Sequence, residues 1–162
     1  MSSSCTILGI DPGLRHTGWG IVSKTGNRLS FVAAGCIDPT PDWAMHLRLL
    51  ALAEGITDIA RRYTLDEAAV EETFVNKNAR SALLLGQARG CAILALAQNG
   101  LSVAEYAATR IKQSVTGQGH ADKTQVQAMI KILLPGTGKL TADAADALAV
   151  AITHAHHMRA LA

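Results

Sequence analysis

Two hydrophobic periods alternate along this chain. Near its start the apolar runs are short, at 5–10, 17–22 and 29–37, and turn-forming residues separate them. Such runs predict strands, and Lys24-Thr25-Gly26-Asn27 offers a hairpin connection between the second and third. After Pro41 the period lengthens: Met45, Leu49, Leu52, Ile56 and Ile59 fall on one stripe, with Glu54, Asp58 and Arg61 opposite. That spacing predicts an amphipathic helix. A short strand at 68–71 follows over a brief connection, so it is expected beside the first strand and parallel to it. Positions 79–98 are apolar nearly all round, which predicts a long helix buried on more than one side. A strand at 102–106 leads into a loop bearing Lys and Arg. A helix then starts at Asp122, where Asp122 and Gln125 have capping-box spacing, with Val126, Met129, Ile130 and Leu133 on its stripe. After a loop at 135–138, a last helix runs from about Ala142 onward. Three antiparallel strands, then helix, strand, helix, strand and closing helices, make an α/β fold: a five-stranded mixed sheet flanked by helices.

Composition narrows the class. A chain of 162 residues suits a single domain spanning 1–162. Apolar residues at 49% and charged residues at 17% argue for a folded chain. No charge-free apolar run reaches the roughly 18 residues of a membrane span, and MSSSCTILG lacks the basic segment of a secretory signal. A cytoplasmic location with no membrane partner is expected. Cys5, Cys36 and Cys91 are odd in number and far apart, as reduced packing thiols would be. Charge is uneven: positions 73–140 hold eight Lys or Arg against Glu105 and Asp122, whereas positions 1–72 hold six bases and nine acids. A basic middle flanked by acidic segments suits a protein that holds a polyanion on one surface and keeps carboxylates for another task.

Those carboxylates are placed unusually. ILGIDPGLRHTGWGIV puts Asp11 where a core strand runs out. Asp-Pro-Gly is good turn chemistry, and a turn would account for Asp11 taken singly. Glu71 and Glu72 end the fourth strand, and alternation leaves open which of them faces Asp11. Asp143 and Asp146, three apart on the last helix, share a face. Each could serve the positive end of the helix dipole, but their Ala, Leu, Val and Ile surroundings must press on the sheet. There, like charges repel and lose hydration unless a cation compensates. Two acids at strand ends and two on one helix face match the oxygen ligands of paired Mg²⁺ ions. Two such ions about 4 Å apart activate water and stabilise a departing oxygen, which implies phosphodiester hydrolysis. Gly86 and Gly90 lie one turn apart in the 79–98 helix. They suit either tight packing on the chain's own sheet or a helix-to-helix subunit contact. His154 and His157 sit near a helix end, where the dipole favours them.

Four stretches in order, GIDPGLRHTGWG, AVEETFVNKNARSALLLGQARG, EYAATRIKQSVTGQGHADKTQV and DAADALAVAITHAH, resemble the RuvC family of Holliday-junction resolvases across nearly the whole chain. The resemblance implies an RNase H-like fold, a homodimer, Mg²⁺ or Mn²⁺, and paired symmetric nicks across four-way junction DNA during recombination and repair. It also implies work beside the RuvA-RuvB branch-migration complex. By motif position the catalytic and metal-binding acids are Asp11, Glu71, Asp143 and Asp146. Phe74 matches an aromatic that stacks on opened bases, and Lys112 and Lys123 match basic positions near the scissile phosphate. Lys77 and Arg80 are expected along the DNA backbone. Two rival readings stand beside this one: an actin-like ATP-binding lobe and a non-catalytic junction-binding protein.

Overall fold

The computed structural model describes residues 3–72 and 78–158. Strand β1 (Ser4–Asp11) runs through the middle of a five-stranded sheet, between β2 (Thr17–Thr25) and β4 (Glu67–Glu71). The edges are β3 (Arg28–Ile37) and β5 (Val103–Tyr106), in the order β3-β2-β1-β4-β5. β2 pairs antiparallel with both β1 and β3, while β4 lies parallel to β1 and β5 parallel to β4. Helix α1 (Met45–Arg62) connects β3 to β4, and α2 (Ala79–Gln98) connects β4 to β5. Then come α3 (Ala108–Thr116), α4 (Lys123–Leu133) and α5 (Ala142–His157). The mixed sheet expected from the sequence is present, with the first and fourth strands adjacent.

Period-two alternation gives the sheet two apolar faces. Leu8, Ile10, Ile21, Ala68 and Val70 pack with Leu52 and Ile56 of α1 and with Ala88, Ala92 and Leu96 of α2. On the other face, Ile7, Val22 and Ala69 meet Leu148 and Ile152 of α5, with Ile111 and Val126 from α3 and α4. Asp11 follows Ile7 and Gly9 in alternation, and Glu71 follows Ala69, so both belong to the α5 face.

Helix α5 is the central covering element of that face. Nearly every residue from 144 to 155 is buried, Asp146 excepted. It rests on glycines of β1 and β2: an added Cβ would fall 1.9 Å from the Asp143 carbonyl oxygen at Gly18 and 2.2 Å from the Ala147 carbonyl oxygen at Gly9. At Gly20 it would meet Leu148 Cδ2 at 2.6 Å. Gly9 pairs with Gly20 across the strands, and Asp11 with Gly18. The glycine floor therefore adjoins Asp11. Thr141 caps the helix, its Oγ1 accepting from Ala144 N at 3.2 Å.

Three expectations need correction. The stretch after β5, read as a loop, contains α3: Ile111 and Val115 are buried one turn apart, and Gly117 closes the helix in the left-handed region at φ 82°. The hairpin between β2 and β3 is tighter than four residues, because Thr25 already pairs with Arg28 and Gly26 takes φ 58°. Within this chain, α2 is buried on one face only. Leu83 and Leu94 are 72% and 58% exposed, and a Cβ at Gly86 or Gly90 would meet nothing within 4 Å. Packing on the chain's own sheet is not what those glycines serve. Among the described residues, α2 is also the one helix long and apolar enough, by length and composition, to cross a membrane.

The glycine floor has a measurable consequence. Gly18→Ala forces α5 away from the sheet, because a backbone oxygen cannot yield as a side chain can. A loss of about 1–3 kcal/mol is expected, in the range of overpacked cores and above the typical surface change. Chemical denaturation of Gly18→Ala against Gly86→Ala, where the added methyl has open space, checks it: equal stabilities would contradict the contact.

Candidate active site

The four acids named from the sequence meet at one end of the sheet. Asp11 is the last residue of β1 and Glu71 the last of β4, two parallel neighbours that end together. Asp143 and Asp146 come from the first turns of α5, which the glycines hold close. One carboxylate oxygen each from Asp11, Asp143 and Asp146 lies within 4.8 Å of the other two. Glu71 lines the same cleft as Asp146, and its charge is the neighbour that most strongly raises Asp11. Alternation from Ala69 puts Glu71, rather than Glu72, on this face. Glu72 instead continues the backbone pairing, its N–H donating to the Tyr106 carbonyl at 2.9 Å.

The turn behind Asp11 is held by Thr17, which is fully buried. Its hydroxyl donates to the Gly13 carbonyl at 2.7 Å and accepts from the Gly13 N–H at 3.1 Å. Arg48 adds a bond to the Leu14 carbonyl at 2.9 Å. The Asp-Pro-Gly turn and the acid are thus one construction: the turn fixes where the strand stops, and the carboxylate stands at that point. Sequence reasoning missed Thr17 and the glycine floor; Gly18 and Gly20, two apart in one predicted strand, with Gly9 in the other, were the available signal.

Electrostatically the cluster is under strain. Burial, then the neighbouring Glu71 and Asp146 charges, push the Asp11 carboxyl up to about 8. Burial also raises Glu71 and Asp146 above the usual carboxylate range. Such a group of oxygens binds a hard cation for the same reason that it resists ionising together. Two lysines offset part of the charge. Lys123 Nζ lies 3.4 Å from Asp146 Oδ2, and that attraction raises the lysine's own pKa. Lys112, on α3, joins Lys123 in lowering Glu71.

Open space flanks the acids on both sides. One cleft, of about 190 Å³, is lined by Glu71, Asp146, Lys112 and Lys123. The other, of about 340 Å³, runs from Asp143 past Arg15 and His16 to Ser81 and Leu84 on α2. Arg80 stands exposed in the first turn of α2. Phe74 and Lys77 lie outside the described residues. His154 is engaged elsewhere: its two ring nitrogens hydrogen-bond Tyr106 Oη at 2.8 Å and Glu67 Oε2. His157 Nδ1 bonds the Thr153 carbonyl at 2.7 Å.

Known proteins place this geometry in a family. The sequence profile described as "Crossover junction endodeoxyribonuclease RuvC" matches residues 7–154. A crossover junction endodeoxyribonuclease RuvC from Rhodopseudomonas palustris (strain BisA53) is 58% identical over 156 residues, covering 96% of this chain and 90% of that relative. One from Nitrobacter hamburgensis is 56% identical over 161 residues, covering 99% and 95%. The solved structure of T. thermophilus RuvC in complex with Holliday junction substrate superposes with a TM-score of 0.86 at 29% identity, covering 93% of each chain. With four carboxylates gathered at the strand ends and this likeness running along nearly its whole length, the chain belongs to the RuvC family of crossover junction endodeoxyribonucleases.

Proposed function

We propose that this protein resolves four-way DNA junctions by paired symmetric nicks, through metal-dependent hydrolysis of phosphodiester bonds. The observation that carries the proposal is the convergence of Asp11, Glu71, Asp143 and Asp146, drawn from two strand ends and one helix, on a single patch. The junction bound in the T. thermophilus structure is the model substrate.

Asp11, Asp143, Asp146 and Glu71 would hold Mg²⁺, two ions per site, with Mn²⁺ as an alternative. Bound there, the ions would activate the attacking water and stabilise the departing sugar oxygen. The protein's own groups do the rest. The acids lie between the two clefts, so a DNA strand crossing them enters along Lys112 and Lys123 and leaves past Arg15 and Ser81. The lysines neutralise phosphate charge beside the cutting point. In this scheme Phe74 stacks on opened bases, while Lys77 and Arg80 follow the backbone.

Two symmetric cuts call for two active sites, and α2 has the surface for pairing. Leu83, Gly86, Gly90 and Leu94 follow one another along its open side at helical spacing, and the glycines leave room for close approach. A second copy seated there gives a homodimer.

Three outcomes are expected. On a synthetic four-way junction, Asp143→Asn loses at least about a hundredfold in cutting, since even residues outside the ligand set can cost that much in metal sites. EDTA abolishes cutting, and junction binding survives both. Cutting that persists in EDTA, or at the native rate in Asp143→Asn, would sink the metal mechanism.

The second outcome is read from stability alone. The folded protein keeps a proton on Asp11 up to about pH 8, whereas the unfolded chain releases it near pH 4. Without metal, stability therefore falls as pH rises between those values. Asp11→Asn removes the Asp11 share of that fall, leaving the smaller part due to Glu71 and Asp146. In EDTA at pH 8 its Tm should exceed the native value by several degrees, with about 2–4 °C for each kcal/mol in a domain of this size. The gap should narrow toward pH 5, and Mg²⁺ should raise the native Tm more at pH 8 than at pH 5. Parallel pH profiles for the two proteins would contradict the electrostatic account.

For the third, native protein is expected to sediment as a dimer. Gly90→Leu should weaken the pairing by about tenfold or more, roughly 1.4 kcal/mol or above. A native protein that is monomeric at micromolar concentration would overturn this use of α2.

A further inference from the structure

One partly buried cation on α2 belongs to neither cleft. Arg89 lies beside Gly90, with 22% of its side chain exposed. Its Nε donates to the main-chain carbonyl of Glu71 at 3.2 Å, and its Nη2 bonds the Glu105 carboxylate. Glu105 belongs to β5 and pairs with Val70, one residue before Glu71. The guanidinium thus spans from α2 to the ends of two strands.

That location matters because β4 is running out of support. Its pairing with β1 ends at Val70 opposite Ile10. On the β5 side, Glu71 opposite Tyr106 is the last pair, followed by one bond from the Glu72 N–H. The Glu71 carboxylate reaches toward α5 on one face, while Arg89 comes from the helix packed on the other. The charge of Arg89 is matched by Glu105, and the cations that lower the Glu71 carboxyl are Lys123 and Lys112. Arg89 therefore acts on the position of Glu71 rather than on its charge. Catalytic constellations lose function when a group drifts by about 0.5 Å, and a strand end whose ladder, among the described residues, continues only as the one Glu72 bond is where such drift is least resisted.

We infer that Arg89 is a positioning residue of the active site: oriented by Glu105, it clamps the Glu71 carbonyl and so fixes the strand end from which the Glu71 carboxylate meets its metal. This rests on the metal-dependent nuclease reading. It gives α2 a second task besides pairing, and it makes Glu105, an exposed residue on an edge strand, part of the support of the site.

Mn²⁺ is the probe. Its binding is followed by electron paramagnetic resonance of the free ion, and single-turnover cutting of a four-way junction is followed over the same titration. The proteins are native, Arg89→Ala, Arg89→Lys and Glu105→Gln, each checked by circular dichroism. Arg89→Ala should need about tenfold more Mn²⁺ for half-maximal binding and cutting, as other support residues of metal sites do. Cutting should recover toward the native rate at saturating Mn²⁺, and junction affinity in EDTA should stay within about twofold. Glu105→Gln and Arg89→Lys should shift the midpoint in the same direction by less, since each leaves one of the two bonds. A purely structural role would lower Tm without moving the Mn²⁺ midpoint. Native midpoints in a folded Arg89→Ala would overturn the inference. If that variant does not fold, native midpoints in both Arg89→Lys and Glu105→Gln would overturn it equally. Native protein that binds no Mn²⁺ would overturn the nuclease reading itself.

Discussion

The contact on which everything else rests is between the backbone of α5 and the glycines of β1 and β2. Side chains on a sheet normally hold a covering helix about 10 Å from it, as between packed layers. Here Gly18 and Gly9 leave nothing between the strands and the carbonyls of Asp143 and Ala147. The helix face that descends into this gap is made of small residues, Ala144, Ala147 and Ala151, all buried. The far end is pinned as well. His154 sits between Tyr106 of β5 and Glu67 of β4, and Lys24 of β2 donates to the Ala155 carbonyl at 2.6 Å. A helix lowered at one end and tethered at the other has little freedom to slide, so the two acids of its first turns arrive at a defined depth beside Asp11.

That depth is what makes the cluster electrostatically expensive. Carboxylates on a looser helix would be wetter and farther apart, and their repulsion would be screened. Brought into contact, they hold a proton that water would ordinarily take, as the raised Asp11 and Asp146 carboxyls express. The fold's hydrophobic contacts supply the stability that this repulsion removes. The cation requirement and the close-packed glycine floor are two aspects of one arrangement.

Much of this was legible in the sequence, for a physical reason. Strand and helix order follow from hydrophobic period, which burial enforces along β1, β2, α1 and α4. The acids were legible because carboxylates at strand ends, and paired on an otherwise apolar helix face, contradict their surroundings. Other features left weaker traces. The polar majority of α3 hid its two buried positions, Ile111 and Val115. Apolarity in α2 could not reveal which surface the chain's own sheet covers, since Ala88 and Leu94 look alike in a pattern although one is buried and the other open. Glycine in a strand reads as weakness until the element that fills its space is known. Arg89 left no trace, because its partner is a main-chain carbonyl 18 residues away, and carbonyls carry no sequence signature.

The two faces of the sheet thus do different work, and β4 is where they meet. On one face α5 brings the acids together; on the other α2 exposes the surface suited to a second copy. Strand β4 lies between β1 and β5, and its last residue sends a carboxylate to the first face while its carbonyl takes a donor from the second. Pairing of two chains through α2 would load the same helix that grips Glu71, with Gly90 on the open side and Arg89 next to it on the gripping side. If two chains pair there, a nuclease that cuts two strands symmetrically would gain from such a connection, because the surface that brings the second site into place would be mechanically continuous with the strand end that carries Glu71.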